Sequence, residues 1–87
     1  GRAGVSVVGA FLDAIAAERD ASANTRLAYA RDLAAFEAHL GGRPLREAGR
    51  ADIESFLLAE AARGLSMATR ARRLSAIRQL FRFLHDE

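Results

Sequence analysis

The chain has 87 residues, 51% hydrophobic and 28% charged, which suits one small domain with a single core. With no cysteine it can hold no disulfide, thiolate nucleophile or cysteine-based zinc site, and its two histidines, His39 and His85, would leave a metal cluster resting mainly on carboxylates. No run approaches the roughly 18 apolar residues of a membrane span and no signal peptide is visible, so a soluble cytoplasmic domain is expected. The net charge is only +2, but it is unevenly spread. There is no lysine. From Gly64 to Leu84 stand five arginines (Arg70, Arg72, Arg73, Arg78 and Arg82) and no acid, whereas the remainder holds eight arginines against eleven acids.

The apolar spacing predicts four helices and no strand. A leader over residues 1–5 is expected to be frayed, with a single domain over 6–87. Ser6 would cap a first helix running to about Asp20, with Val8, Phe11, Leu12 and Ile15 at the i, i+3, i+4, i+7 spacing of a buried face. Ser22 is the expected N-cap of a second helix, in which Tyr29, Leu33, Phe36 and Leu40 form the stripe and Leu27 and Ala30 lie beside it. Gly41-Gly42 ends that helix and Arg43-Pro44-Leu45 makes a turn, with Leu45 tucked inward. A third helix is expected over about Ala51 to Arg63, burying Ile53, Phe56, Leu57 and Ala61. Its start is poorly capped, because Arg50 occupies the place of a Ser or Thr, although Asp52 and Glu54 suit the helix dipole. Gly64 closes it. The fourth helix starts at a Ser66 cap and runs to about His85 on a stripe of Met67, Ala71, Leu74, Ile77, Phe81 and Leu84. Arg72, Ser75, Gln79 and Arg82 then share an outward face, flanked by Thr69, Arg73, Ala76 and Arg78. The fold class is all-α, a bundle of four helices.

Catalytic signatures are missing: there is no glycine-rich phosphate loop, no HExxH, and no serine set beside a histidine. Asp13, Glu18 and Asp20 read as solvated positions. His39, near the end of helix two, is expected to meet terminal carbonyls. No enzyme activity, cofactor or metal is therefore expected of this chain. The fourth helix carries the information. Five arginines without an acid repel one another unless a polyanion compensates, and the guanidinium fork fits phosphate oxygens and the guanine edge. Ser66 and Thr69 add the free N–H groups of a helix N-terminus, and Asn24, Thr25 and Arg26 offer a second such turn. The competing readings are arginines paired with acids of the first three helices, and ordinary capping at Asn24 to Arg26.

The order of motifs supplies more. Phe11-Leu12, then Ser22-x-Asn24-Thr25-x-x-x-Tyr29-x-x-Asp32-Leu33-x-x-Phe36, then Asp52-Ile53-x-x-Phe56-Leu57, then Ser66-x-x-Thr69-x-x-Arg72-Arg73-Leu74-Ser75-Ala76-Ile77-Arg78-x-Leu80-Phe81-x-Phe83-Leu84 run along nearly the whole chain. This pattern resembles the N-terminal core-binding domain of the tyrosine recombinases, the Xer branch in particular. The resemblance implies a SAM-like orthogonal bundle that clamps double-stranded DNA opposite a catalytic domain. It also implies partner protomers in a tetrameric synapse, pairing of two different Xer proteins under a DNA translocase, and a role in chromosome dimer resolution. The catalytic Arg, Lys, His and Tyr residues of that family belong to a domain this chain does not contain. The DNA-binding residues so implied are Asn24, Thr25, Arg26, Ser66, Thr69, Arg70, Arg72, Arg73 and Arg78. The alternatives are a small helical protein-interaction module and a stand-alone helix-turn-helix regulator.

Overall fold

The computed structural model describes residues 7–19 and 22–85. The order is α1 (Val7–Arg19), α2 (Ala23–Leu40), a single 3-10 turn (Leu45–Glu47), α3 (Arg50–Ala62) and α4 (Met67–His85), with no strand among the described residues. The expected Ser6 cap, the leader and the Asp20 end of the first helix lie outside those residues.

Local chemistry accounts for most of the boundaries. Ser22 is extended at φ −67°, ψ 161°, and its hydroxyl accepts from the Thr25 N–H at 3.1 Å, satisfying one of the orphan donors of the α2 N-terminus. Gly41, at φ 63°, stops α2 in the left-handed conformation, its N–H donating to Ala38. α3 ends in a Schellman motif: Leu65 N–H reaches back to Glu60 O, Gly64 N–H to Ala61 O, and Gly64 has φ 90°. Ser66 then caps α4, accepting from the Thr69 N–H at 3.1 Å.

The start of α3 differs from expectation. Gly49, not Arg50, is the N-cap, and Arg50 is already helical. Asp52 supplies what the glycine lacks. Its carboxylate reaches back to accept from the Gly49 N–H at 2.9 Å and also pairs with Arg43, which ties the connection from α2 to the first turn of α3. The Arg43 guanidinium, helped by the Gly49 N–H, holds the Asp52 carboxyl below its ordinary value.

α2 packs most extensively on α4, and α1 and α3 lie against this pair. Leu33, Phe36, Ile77, Leu80 and Ala76 are sealed at the centre, and Phe11, Leu12, Ile15, Leu40, Leu45 and Phe56 close around them. Aromatic edges join the helices: Phe36 meets Phe56 at 5.3 Å and Phe81 at 6.4 Å between centroids, and Phe11 meets Phe83 at 5.7 Å. The α4 stripe is rotated from the expected one. Met67 and Ala71 are exposed and Ala76 is fully buried, because the α2–α4 contact draws the Ala76–Leu80 side inward. Ala61 and Leu27 also face out. His39 bonds Ser55 Oγ at 3.1 Å and packs on the Phe56 ring, instead of meeting helix-end carbonyls.

A carboxyl whose folded pKa is depressed stabilises the fold above its ordinary titration range, and that contribution disappears as pH falls through the folded value. Asp52→Asn should therefore lower the thermal midpoint at pH 7. The difference from wild type should shrink steadily as the pH is taken below the usual carboxylate range, in paired melts followed by circular dichroism.

Candidate nucleic-acid interface

Three charged residues occupy core-facing helix positions. Asp32 of α2 and Glu60 of α3 are 0% and 1% exposed, and the Arg73 side chain of α4 is 17% exposed. Arg73 pairs with Glu60 through Nη1, and its Nε lies 3.3 Å from Asp32 Oδ1, an ion-pair distance without hydrogen-bond alignment. Glu60 also accepts from Arg63 Nη1 at 2.9 Å. Asp32 accepts from Arg72 in the two-pronged fashion, Nε to Oδ2 at 2.9 Å and Nη2 to Oδ1 at 2.7 Å. Charges therefore alternate from Arg72 through Asp32, Arg73 and Glu60 to Arg63, joining α2, α3 and α4. The Asp32 carboxylate raises the Arg72 pKa, chiefly through this hydrogen bonding.

The nine residues singled out from the sequence fall into distinct places. Arg72 and Arg73 belong to the alternating chain, so two of the five α4 arginines are matched by acids of α2 and α3. Arg70 is half-buried, with Nε donating to Leu65 O at 3.2 Å. Arg78 and Arg82 are exposed and make no ion pair with the described residues. Asn24 and Thr25 are exposed in the first turn of α2, but Arg26 turns towards α1 and pairs with Asp13. Ser66 and Thr69 are bonded to each other at 3.1 Å.

Tyr29 lies opposite Gln79 and Asp32 opposite Arg72, so α2 and α4 run in opposing directions along their contact. The first turns of the two helices consequently sit at opposite ends of the pair. They do not converge on one phosphate. The seam between the helices is polar at its outer edge: Gln79 Nε2 donates to Tyr29 Oη and to Ser75 Oγ, both at 3.1 Å. Arg31 of α2, which sequence reasoning passed over, is exposed and has no ion pair among the described residues. Asp32 and Glu60 were also passed over as site-forming residues. Their signal was available, since each is an acid at a position of the apolar stripe.

A groove of about 780 Å³ runs between α3 and α4, lined by apolar Ile53, Leu57, Leu74 and Phe81 and by charged Arg50, Glu54, Arg78 and Arg82. Among the described residues no group of three or more His, Asp or Glu side chains is gathered for a metal. No described helix is long and apolar enough to cross a membrane.

Comparison with known proteins agrees with this architecture. Residues 8–87 match the family described as phage integrase, N-terminal SAM-like domain. The chain belongs to that family. It is 44% identical over 79 residues to the tyrosine recombinase XerD of Agrobacterium fabrum, covering 88% of this chain and 24% of that protein. It is 43% identical over 82 residues to the XerD of Rhizobium meliloti, covering 92% and 26%, and 47% identical over 79 residues to that of Brucella abortus, covering 88% and 26%. The chain thus spans about a quarter of the length of these curated relatives. No solved structure matches it. The family and the all-α, SAM-like fold expected from the motifs are both confirmed.

Removing one partner of a buried ion pair strands the other in a poor solvent, whereas a surface partner contributes little. Glu60→Gln should lower the unfolding free energy by about 3–5 kcal/mol, and Arg63→Ala, at the exposed end of the same chain, by no more than about 1 kcal/mol. Urea unfolding of the two variants beside wild type checks the contrast.

Proposed function

We propose that this chain is the N-terminal DNA-gripping domain of a XerD-like tyrosine recombinase, and that it holds duplex DNA on the outward side of α4 and the adjoining edge of α2. The supporting observation is the charge of that face. α4 carries five arginines and no acid, and the carboxylates that answer Arg72 and Arg73 are buried beneath the surface. Arg78 and Arg82 of α4 and Arg31 of α2 are thereby left outward and unmatched among the described residues, and Arg72 is half-exposed. Of the residues first singled out, Arg72 and Arg78 are the principal contacts. Asn24 and Thr25 serve the far end of α2, and Ser66, Thr69 and Arg70 the near end of α4. Arg26 and Arg73 act through Asp13, Asp32 and Glu60.

In this reading the domain lies on one side of the duplex and a catalytic domain, supplied elsewhere in the recombinase, lies on the other. The chain itself cuts no strand. Its partners are double-stranded DNA and other recombinase protomers, assembled as a tetramer from an XerC–XerD pair and controlled through the full-length protein by a DNA translocase. The setting is the cytoplasm and the task chromosome dimer resolution.

Each arginine that neutralises a phosphate releases counterions, so affinity should fall steeply with salt. The 87-residue chain, titrated against a fluorescent duplex of about 30 base pairs, should bind at roughly 10⁻⁴ to 10⁻⁶ M near physiological salt and more tightly below it. Arg78→Ala/Arg82→Ala should flatten the slope of log K against log salt by about 2 while leaving the helical signal intact. Absence of binding at low salt would contradict the proposal and leave a protein-docking module as the better account.

A further inference from the structure

Arg72 is anchored from below and open from above. Its side chain is 46% exposed, yet it is gripped at two points by a carboxylate that has no exposure at all. A guanidinium has five N–H groups. Asp32 takes the Nε–H and one hydrogen of Nη2, which leaves the second hydrogen of Nη2 and one of Nη1 side by side on the end edge of the fork, while the other Nη1 hydrogen points back on the Cδ side. Asp32 is in turn held by the nearby Arg73, and Arg73 by Glu60.

The charge count along this chain exceeds what internal pairing requires. Three arginines meet two carboxylates, so one positive charge is left over, and Arg72 is one of the two exposed ends. Most exposed arginines lose side-chain freedom when they engage a ligand. Arg72 has already lost it in the free protein.

We infer that Asp32 is a positioning residue, which holds the outward edge of Arg72 as a preformed fork for a phosphodiester group of the nucleic-acid backbone. The inference rests on the DNA-binding reading above and adds to it a residue that never touches DNA. The sign of its effect is distinctive. Deleting the Asp32 charge makes the domain more positive, which by long-range attraction alone strengthens DNA binding. Positioning requires the reverse.

The test measures duplex affinity at low salt for the 87-residue chain and for Arg72→Ala, Arg72→Lys, Asp32→Asn and the Asp32→Asn/Arg72→Ala double variant, with helicity followed at the same temperature. Arg72→Ala should weaken binding about tenfold, the scale of a charge-assisted hydrogen bond. Arg72→Lys should be nearly as weak, since an ammonium keeps the charge but cannot offer one edge to the carboxylate and another to phosphate. Asp32→Asn should weaken binding several-fold with helicity intact, and should add no further loss in the Arg72→Ala background. Asp32→Asn binding as wild type or tighter, or Arg72→Lys binding as wild type, would overturn the inference while sparing the DNA-binding reading. If Asp32→Asn unfolds, Arg72→Lys decides alone. A wild-type chain that shows no salt-sensitive binding would remove both.

Discussion

The structure depends on a charge network placed where an 87-residue domain can least tolerate an unmatched charge. Asp32, Glu60 and Arg73 each project from a different helix towards the centre, and Arg73 meets both carboxylates only when all three helices are in place. Moving α4 by one residue along its axis would shift Arg73 by about 1.5 Å and turn it by about 100°. Both carboxylates would then lose it. Apolar contacts are forgiving of such slips because one aliphatic group substitutes for another, whereas an ion pair has one geometry. The network thus fixes the register of α2, α3 and α4 on top of the burial that drives them together.

The same arrangement decides what the surface looks like. The acids that answer the α4 arginines are drawn inside, so Arg72 and Arg73 are paired from the inner side and neither carboxylate stands at the surface beside them. Arg72, Arg78 and Arg82 then stand along α4 with no acid among them, and Arg31 lies on the neighbouring helix. Elsewhere the charges are paired at the surface, as Arg26 with Asp13 and Arg50 with Glu54. A modest net charge of +2 therefore conceals one markedly basic face. Electrostatic attraction to a polyanion acts through such a face, and the total charge matters less.

Much of this was legible in the sequence. Ser22, Gly41, Gly64 and Ser66 mark helix ends through backbone chemistry that acts locally, so each could be read without knowing the fold. The family followed from the order of motifs along nearly the full chain. Periodicity failed where tertiary contact decides the rotation of a helix: in α4 it assigned Met67 and Ala71 to the core and left Ala76 outside. The α3 cap was misplaced because Asp52 serves a glycine three residues back, a side chain doing the work expected of the cap residue itself. The largest omission was the charge network. Asp32 lies three residues after Tyr29 and four before Phe36, and Glu60 lies four after Phe56, both on apolar stripes. Arg73 lies four before Ile77. Acids on two stripes and an arginine on a third form a complementary set, but the set is visible only when the helices are compared with one another.

The most direct test of the account is a map of backbone amide shifts in the 87-residue chain as duplex DNA is added. The account predicts perturbations along the outer edge of α4, at Arg72, Ser75, Arg78, Gln79 and Arg82, and on α2 at Asn24, Thr25 and Arg31, with the outer surface of α3 around Leu58 and Ala61 unmoved. Perturbations centred on α3, with the outward side of α4 and the adjoining edge of α2 silent, would contradict it.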